Sequence, residues 1–175
     1  LLIFFTSFLL ISVAIFTNFG NRVLKNRFLS FFSSLSISGY AIPGIIISVS
    51  IISFFSLLSS FINFDFKTIF IGSFYGLILA YFFRFYSIAY NGIKSNLLKI
   101  NYSLDESSYL MGFDKFKTFT VVHWPILNKN IFFIFILIAI EIIKELPITL
   151  ILRPFNFETF STRAYNFATQ DLIEA

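Results

Sequence analysis

The sequence predicts an all-α protein, a polytopic bundle of transmembrane helices, and two observations lead there. With 57% hydrophobic residues, 13% charged residues and a mean hydropathy of +0.85, a 175-residue chain holds more apolar surface than a globular interior of its size can bury. Its charges are also confined to short segments between apolar runs that meet or approach the roughly 20 residues a membrane-crossing helix needs. The 28 phenylalanines accompany abundant Ile, Asn and Lys, as AT-rich coding would favour, and carry no collective functional meaning. The net charge of +4 comes from basic residues beside apolar runs, which fits membrane topology better than a nucleic-acid-binding face. Cysteine is absent, so neither a disulfide framework nor a thiolate metal site is available.

Residues 1–175 read as one partial membrane domain, with spans expected near 1–17, 31–58, 68–90 and 131–152. The chain opens inside an apolar run with no initiator Met or basic leader, and is expected to be a fragment lacking an upstream span and a closing one. No charge falls between Arg27 and Asp65, and Pro43-Gly44 lies inside that run, either as a tolerated kink or as a hinge. Arg84, near the end of the next span, is expected to snorkel toward the interface. The last span carries Glu141, Lys144 and Glu145.

Orientation follows from basic residues in the connections. Arg22, Lys25 and Arg27 fill the first connection, while Lys94, Lys99, Lys115, Lys117 and Lys129 fill the third, so both are expected on the cytoplasmic side. The second connection, 59–67, and the tail, 153–175, would face outward.

Within the loop, 91–130, local signals define two short helices. Ser103-Leu104-Asp105-Glu106 fits a capping box, with a helix starting there and stopping at Gly112 in the left-handed C′ position. Asp114 would cap a second helix bearing Phe116, Phe119 and His123, and Pro125 would end it.

Glu106-Ser107-Ser108, three residues, Gly112, nine residues, then Val122-His123-Trp124-Pro125 resembles the EAA loop of ABC importer permeases, E-A-A, three residues, G, nine residues, I-x-L-P. Ser107 and Ser108 replace alanine, Val122 isoleucine and Trp124 leucine, so small residues stay small and apolar residues stay apolar. The resemblance implies coupling helices that enter a groove on an ATP-binding subunit, with Glu106 and Gly112 at that contact. Trp124 has two readings, an interfacial aromatic or a packing residue of this motif. A second resemblance spans nearly the whole chain: Gly39-Tyr40-Ala41-Ile42-Pro43-Gly44 and the segment from Lys144 to Phe157, with Thr159, Arg163 and Tyr165, are similar to the C-terminal half of iron(III)-type importer permeases. Such halves are usually fused, and relatives carry polyamines, thiamine or phosphonates.

No phosphate loop of the G-x-x-x-x-G-K-[ST] type occurs, so no cofactor is expected on this chain, and ATP and Mg would be held by the partner subunit. His123 is the only histidine, and no catalytic or metal-ligating spacing is present, which argues against an enzyme. Glu141, Lys144 and Glu145 have two readings: a buried network in which Lys144 neutralises Glu141 at i, i+3, or a translocation path or outer gate attractive to a hard cation such as Fe³⁺.

The expected function is the permease subunit of an ATP-driven importer of the bacterial inner membrane, a multi-pass protein carrying ferric iron. Its partners would be an ATP-binding subunit dimer, a periplasmic substrate-binding protein, the other permease half, fused or separate, and membrane lipid, with no nucleic acid. The alternatives are a permease for another small solute, an ion-coupled secondary transporter using Glu141 and Glu145, and a structural membrane protein without transport.

Overall fold

The computed structural model describes residues 1–24, 31, 33–34, 37–62 and 64–170, and every regular element among them is helical. In chain order these include α1 (Leu2–Leu24), a 3-10 turn (Ser38–Ala41), α2 (Gly44–Ile62), α3 (Phe66–Phe70) and α4 (Phe74–Leu98). There follow α5 (Tyr102–Leu110), α6 (Lys115–Thr118), a π turn (Phe119–His123), α7 (Trp124–Lys144), α8 (Pro147–Leu152) and α9 (Phe160–Thr169). Among the described residues, three stretches are long and apolar enough to cross a membrane: Leu2–Val23, Gly44–Ile62 and Lys115–Lys144.

The spans differ from expectation where the chain is punctuated. The first helix runs on past 17 to Leu24, because Asn18, Asn21 and Arg22 find buried partners instead of ending it. The span expected over 31–58 is interrupted before Gly44: Pro43 forces its predecessor Ile42 into extended backbone at ψ 130°, so the chain breaks there instead of kinking, and residues 32, 35 and 36 of that stretch lie outside the described residues. Likewise 68–90 is split by Gly72 at φ +66° between α3 and α4. Asp65 caps α3, and bonds from the hydroxyl and then the amide of Thr68 hold its carboxyl below its usual range. The stretch 131–152 is no single span either. Helix runs from Lys115 to Lys144, breaks at Glu145 and resumes at Pro147. The tail contains α9, capped by Thr159 through a reciprocal capping box with Thr162.

The central post is α4. Leu77, Ala80, Tyr81, Phe85, Ala89 and Ile93 form one buried stripe along it at helical spacing. Alongside lies α1, running parallel to it: the Thr17 hydroxyl meets the Tyr86 hydroxyl at 2.7 Å, and the Asn18 amide donates to the Tyr90 carbonyl at 3.1 Å. Running the other way, α7 approaches so closely at Gly92 that a Cβ there would stand 3.0 Å from Ile134. Phe4, Phe8, Phe16, Phe132, Phe133 and Leu137 point outward and are exposed. Hydrocarbon suits such a surface, with the backbone bonds closed inside each helix.

Candidate functional site

The loop between α4 and α7 folds as two short helices about a glycine. Its first helix begins at Tyr102, not Ser103, and the expected capping box is replaced by Asn101, whose side chain accepts from the Ser103 N–H at 3.3 Å. Asn is as good a cap as Ser and lies nearer the end of α4, so it captures the amide first. Gly112 sits at φ +81° just beyond the Met111 cap, and Asp114 accepts from the Lys117 N–H at 2.7 Å to start α6. Pro125 does not end this helix. It occupies the first turn of α7, where a missing N–H is tolerated. The preceding turn widens to π spacing, with the Trp124 N–H reaching the Phe119 carbonyl. That widening relieves the collision a proline ring would have with the carbonyl four residues back.

The motif residues divide by exposure. Glu106, Ser107 and Gly112 are exposed, as are Trp124 and Pro125; Val122 is half-buried and Ser108 fully buried. Ser108 donates to the Asp105 carbonyl within α5 and meets the Thr118 hydroxyl at 2.9 Å, and the second bond joins α5 to α6. Alanine at this position would lack both. Trp124 packs its ring 6.3 Å from that of Phe119. At the tip, Leu110 is 90% exposed, Phe116 75% and Met111 65%, with Lys115 and Lys117 beside them.

Behind the tip lies a buried charge cluster that the sequence reading missed. Arg22 Nε donates to Asp105 Oδ2 at 2.8 Å, and its two terminal nitrogens donate to the carbonyls of Leu97 (2.7 Å) and Ile100 (2.9 Å), at and just beyond the C-terminal end of α4. Its guanidinium lies 4.4 Å from the Tyr102 ring centre. The other carboxylate oxygen of Asp105 is 2.8 Å from His123 Nε2, which must carry the proton because an ionised carboxylate only accepts. A readable signal existed: Asp105 and Ser108 are three apart on one helix face. The contact places the C-terminal end of α1 and the loop at the same end of the bundle. Lys25 and Arg27 lie outside the described residues.

A second buried ion pair joins the two helix breaks. Arg84 Nε donates to Glu145 Oε2 at 3.1 Å and its Nη1 donates to the Ile42 carbonyl, so Arg84 does not snorkel. Glu145 Oε1 in turn accepts from the Ile148 N–H at 3.4 Å, in the first turn of α8. One ion pair thus satisfies a carbonyl at the first break and an amide at the second. Glu145 is buried and follows the end of α7, so it neither shares a helical face with Glu141 nor pairs with Lys144. An acid and a base in apolar stretches had every reason to find each other. Gly44 is closely packed here, since a Cβ on it would stand 2.5 Å from Glu145 Oε1 and 3.0 Å from Ile148. Gly44→Ala is expected to displace the carboxylate and lower stability by about 1–3 kcal/mol, measured as a lower melting temperature of the detergent-solubilised protein.

Glu141 pairs with Lys144 at 2.9 Å, the i, i+3 arrangement of the structural reading. This pair is more open, with the Lys144 side chain 61% exposed and that of Glu141 26%. Glu141 also lines an open groove of about 590 Å³ with Tyr40, Ser87, Asn91, Gly92 and Phe133. The three charges of the path reading therefore separate: Glu141 borders the groove with Lys144 paired to it, and Glu145 is buried in the pair with Arg84. Comparison with models of known families and with curated proteins gives no match to this chain.

Proposed function

We propose that the chain is a membrane-spanning permease subunit of an ATP-driven ABC importer of the bacterial inner membrane, equivalent to the C-terminal half of an iron(III)-type permease. The observation that carries this reading is the loop tip. Leu110, Met111 and Phe116 are apolar and exposed, Gly112 turns between them, and the site lies at the end of the bundle where Arg22 and the loop lysines gather. Exposed apolar groups interleaved with Lys115 and Lys117 about a tight turn suit insertion into a groove of a partner. An ATP-binding subunit dimer would supply ATP and Mg there, the other permease half would complete the membrane assembly, and a periplasmic binding protein would deliver ferric iron. The iron cargo draws its support from the similarity of the segments around Gly39 and Glu145 and from Glu141 as an oxygen donor on the groove.

Interrupted helices meeting at a buried charge are also a device of ion-coupled secondary transporters. Affinity purification from mild detergent, followed by uptake of radioactive ferric iron in vesicles, separates the two. The expected result is a copurifying ATPase and uptake that persists when ion gradients are collapsed at fixed ATP. Uptake that follows the gradient and ignores ATP would sink the proposal.

A further inference from the structure

We propose that Arg22, Asp105 and His123 form the joint that delivers motion of the loop to α1 and α4; the link to ATP hydrolysis rests on the permease reading above. The loop runs on into α7 through the helical π turn at Phe119–His123, but it meets α4 only through the turn at Lys99–Asn101. Left to that turn, a displacement of the tip would reach neither α4 nor α1. The side-chain cluster prevents that. Arg22 stands 83 residues from Asp105 and 75 from Leu97, yet one guanidinium holds the loop carboxylate and the carbonyl end of α4 together. Its planar fork suits this task, because several acceptors are met without reorientation.

The remaining contacts point the same way. His123 completes the carboxylate and brings in the start of α7, with Phe19 of α1 packed edge-on against its ring at 5.5 Å and against Phe119 at 4.8 Å. The Ser108–Thr118 bond locks α5 to α6. Asp105 immediately precedes Glu106, so the joint lies one residue behind the exposed motif. Loop, α1 and the end of α4 therefore move as one body, and a push at Leu110 or Phe116 becomes a movement of helices instead of a bend in the loop.

The absence of cysteine makes the test direct, because nitroxides can be attached at cysteines introduced for Leu104 of α5, away from the tip, and Phe8 of α1, both exposed. Spin–spin distances are compared between the parent chain and its Asp105→Asn variant, in lipid, and again in the complex with its ATPase. Asp105→Asn is expected to broaden the distance distribution, with Arg22→Lys, which keeps the charge and loses the fork, intermediate. In the assembled complex, solute moved per ATP hydrolysed should fall by roughly 2- to 30-fold while ATPase recruitment persists. A merely structural role would lower the amount of complex and leave that ratio unmoved. An unchanged distance distribution overturns the joint whether or not an ATPase binds, and a broadened distribution with an unchanged ratio overturns transmission. A broadened distribution in a chain that recruits no ATPase supports the joint and removes the permease reading.

Discussion

Glu145→Leu is expected to cost about 3 kcal/mol and to remove most of the folded protein from the membrane. Breaking a buried pair strands the remaining charge, typically at 3–5 kcal/mol. The lower end applies because Arg84 retains the Ile42 carbonyl and 21% of its side chain stays exposed. The Ile148 amide also loses its acceptor. Adding Arg84→Met removes the stranded charge, so the double variant should recover at least part of the loss. Glu141→Gln, at an open pair, should change stability by less than about 1 kcal/mol, and if Glu141 guides a cation it should lower iron uptake instead. The folded fraction after detergent extraction, read by size-exclusion chromatography, checks the series. Wild-type amounts of folded Glu145→Leu would show that the breaks hold without the ion pair.

Gly112→Val is expected to abolish association with the proposed ATPase partner while leaving the protein inserted. At φ +81° a β-branched side chain is a backbone outlier, and the strain is of order 1–3 kcal/mol, comparable to what holds a two-turn loop element. No atom lies within 4 Å of the Cβ that would be added, so conformation and not collision sets the effect. Gly112→Asn, which tolerates the left-handed region, should therefore retain much of the association. Glu106→Ala, at an exposed position with ordinary backbone, should weaken it less than Gly112→Val. Pull-down with the tagged ATPase and substrate-stimulated hydrolysis report the order. Equal association of the Val and Asn variants would remove the left-handed turn from the docking argument.

What the sequence disclosed was set by how local each signal is. Gly112 and Asp114 were readable because a left-handed stop and an N-cap act within four residues. Asn101 was missed because Ser103 and Glu106 offered an equally good local pattern, and the end of α4 decided between them. Hydropathy found the apolar runs, yet it could not place the breaks at Ile42 and Glu145, which are stabilised by Arg84 from another helix. Pro125 misled for a related reason: proline marks either the end of one helix or the first turn of the next. The Arg22–Asp105 contact bridges 83 residues, and no periodicity announces a partner that distant.

The arrangement around Arg84 has a consequence for how this protein breathes. The end of the 3-10 turn, the start of α2 at Gly44 and the first turn of α8 share one electrostatic fastening. Neither interruption can loosen alone, because freeing Glu145 from Ile148 also disturbs the guanidinium that holds Ile42. The two breaks then form one cooperative opening unit, with amides around Ile46 and Ile148 exchanging hydrogen for deuterium through the same event. Segments far apart in the chain would thus have a common lifetime in the closed state.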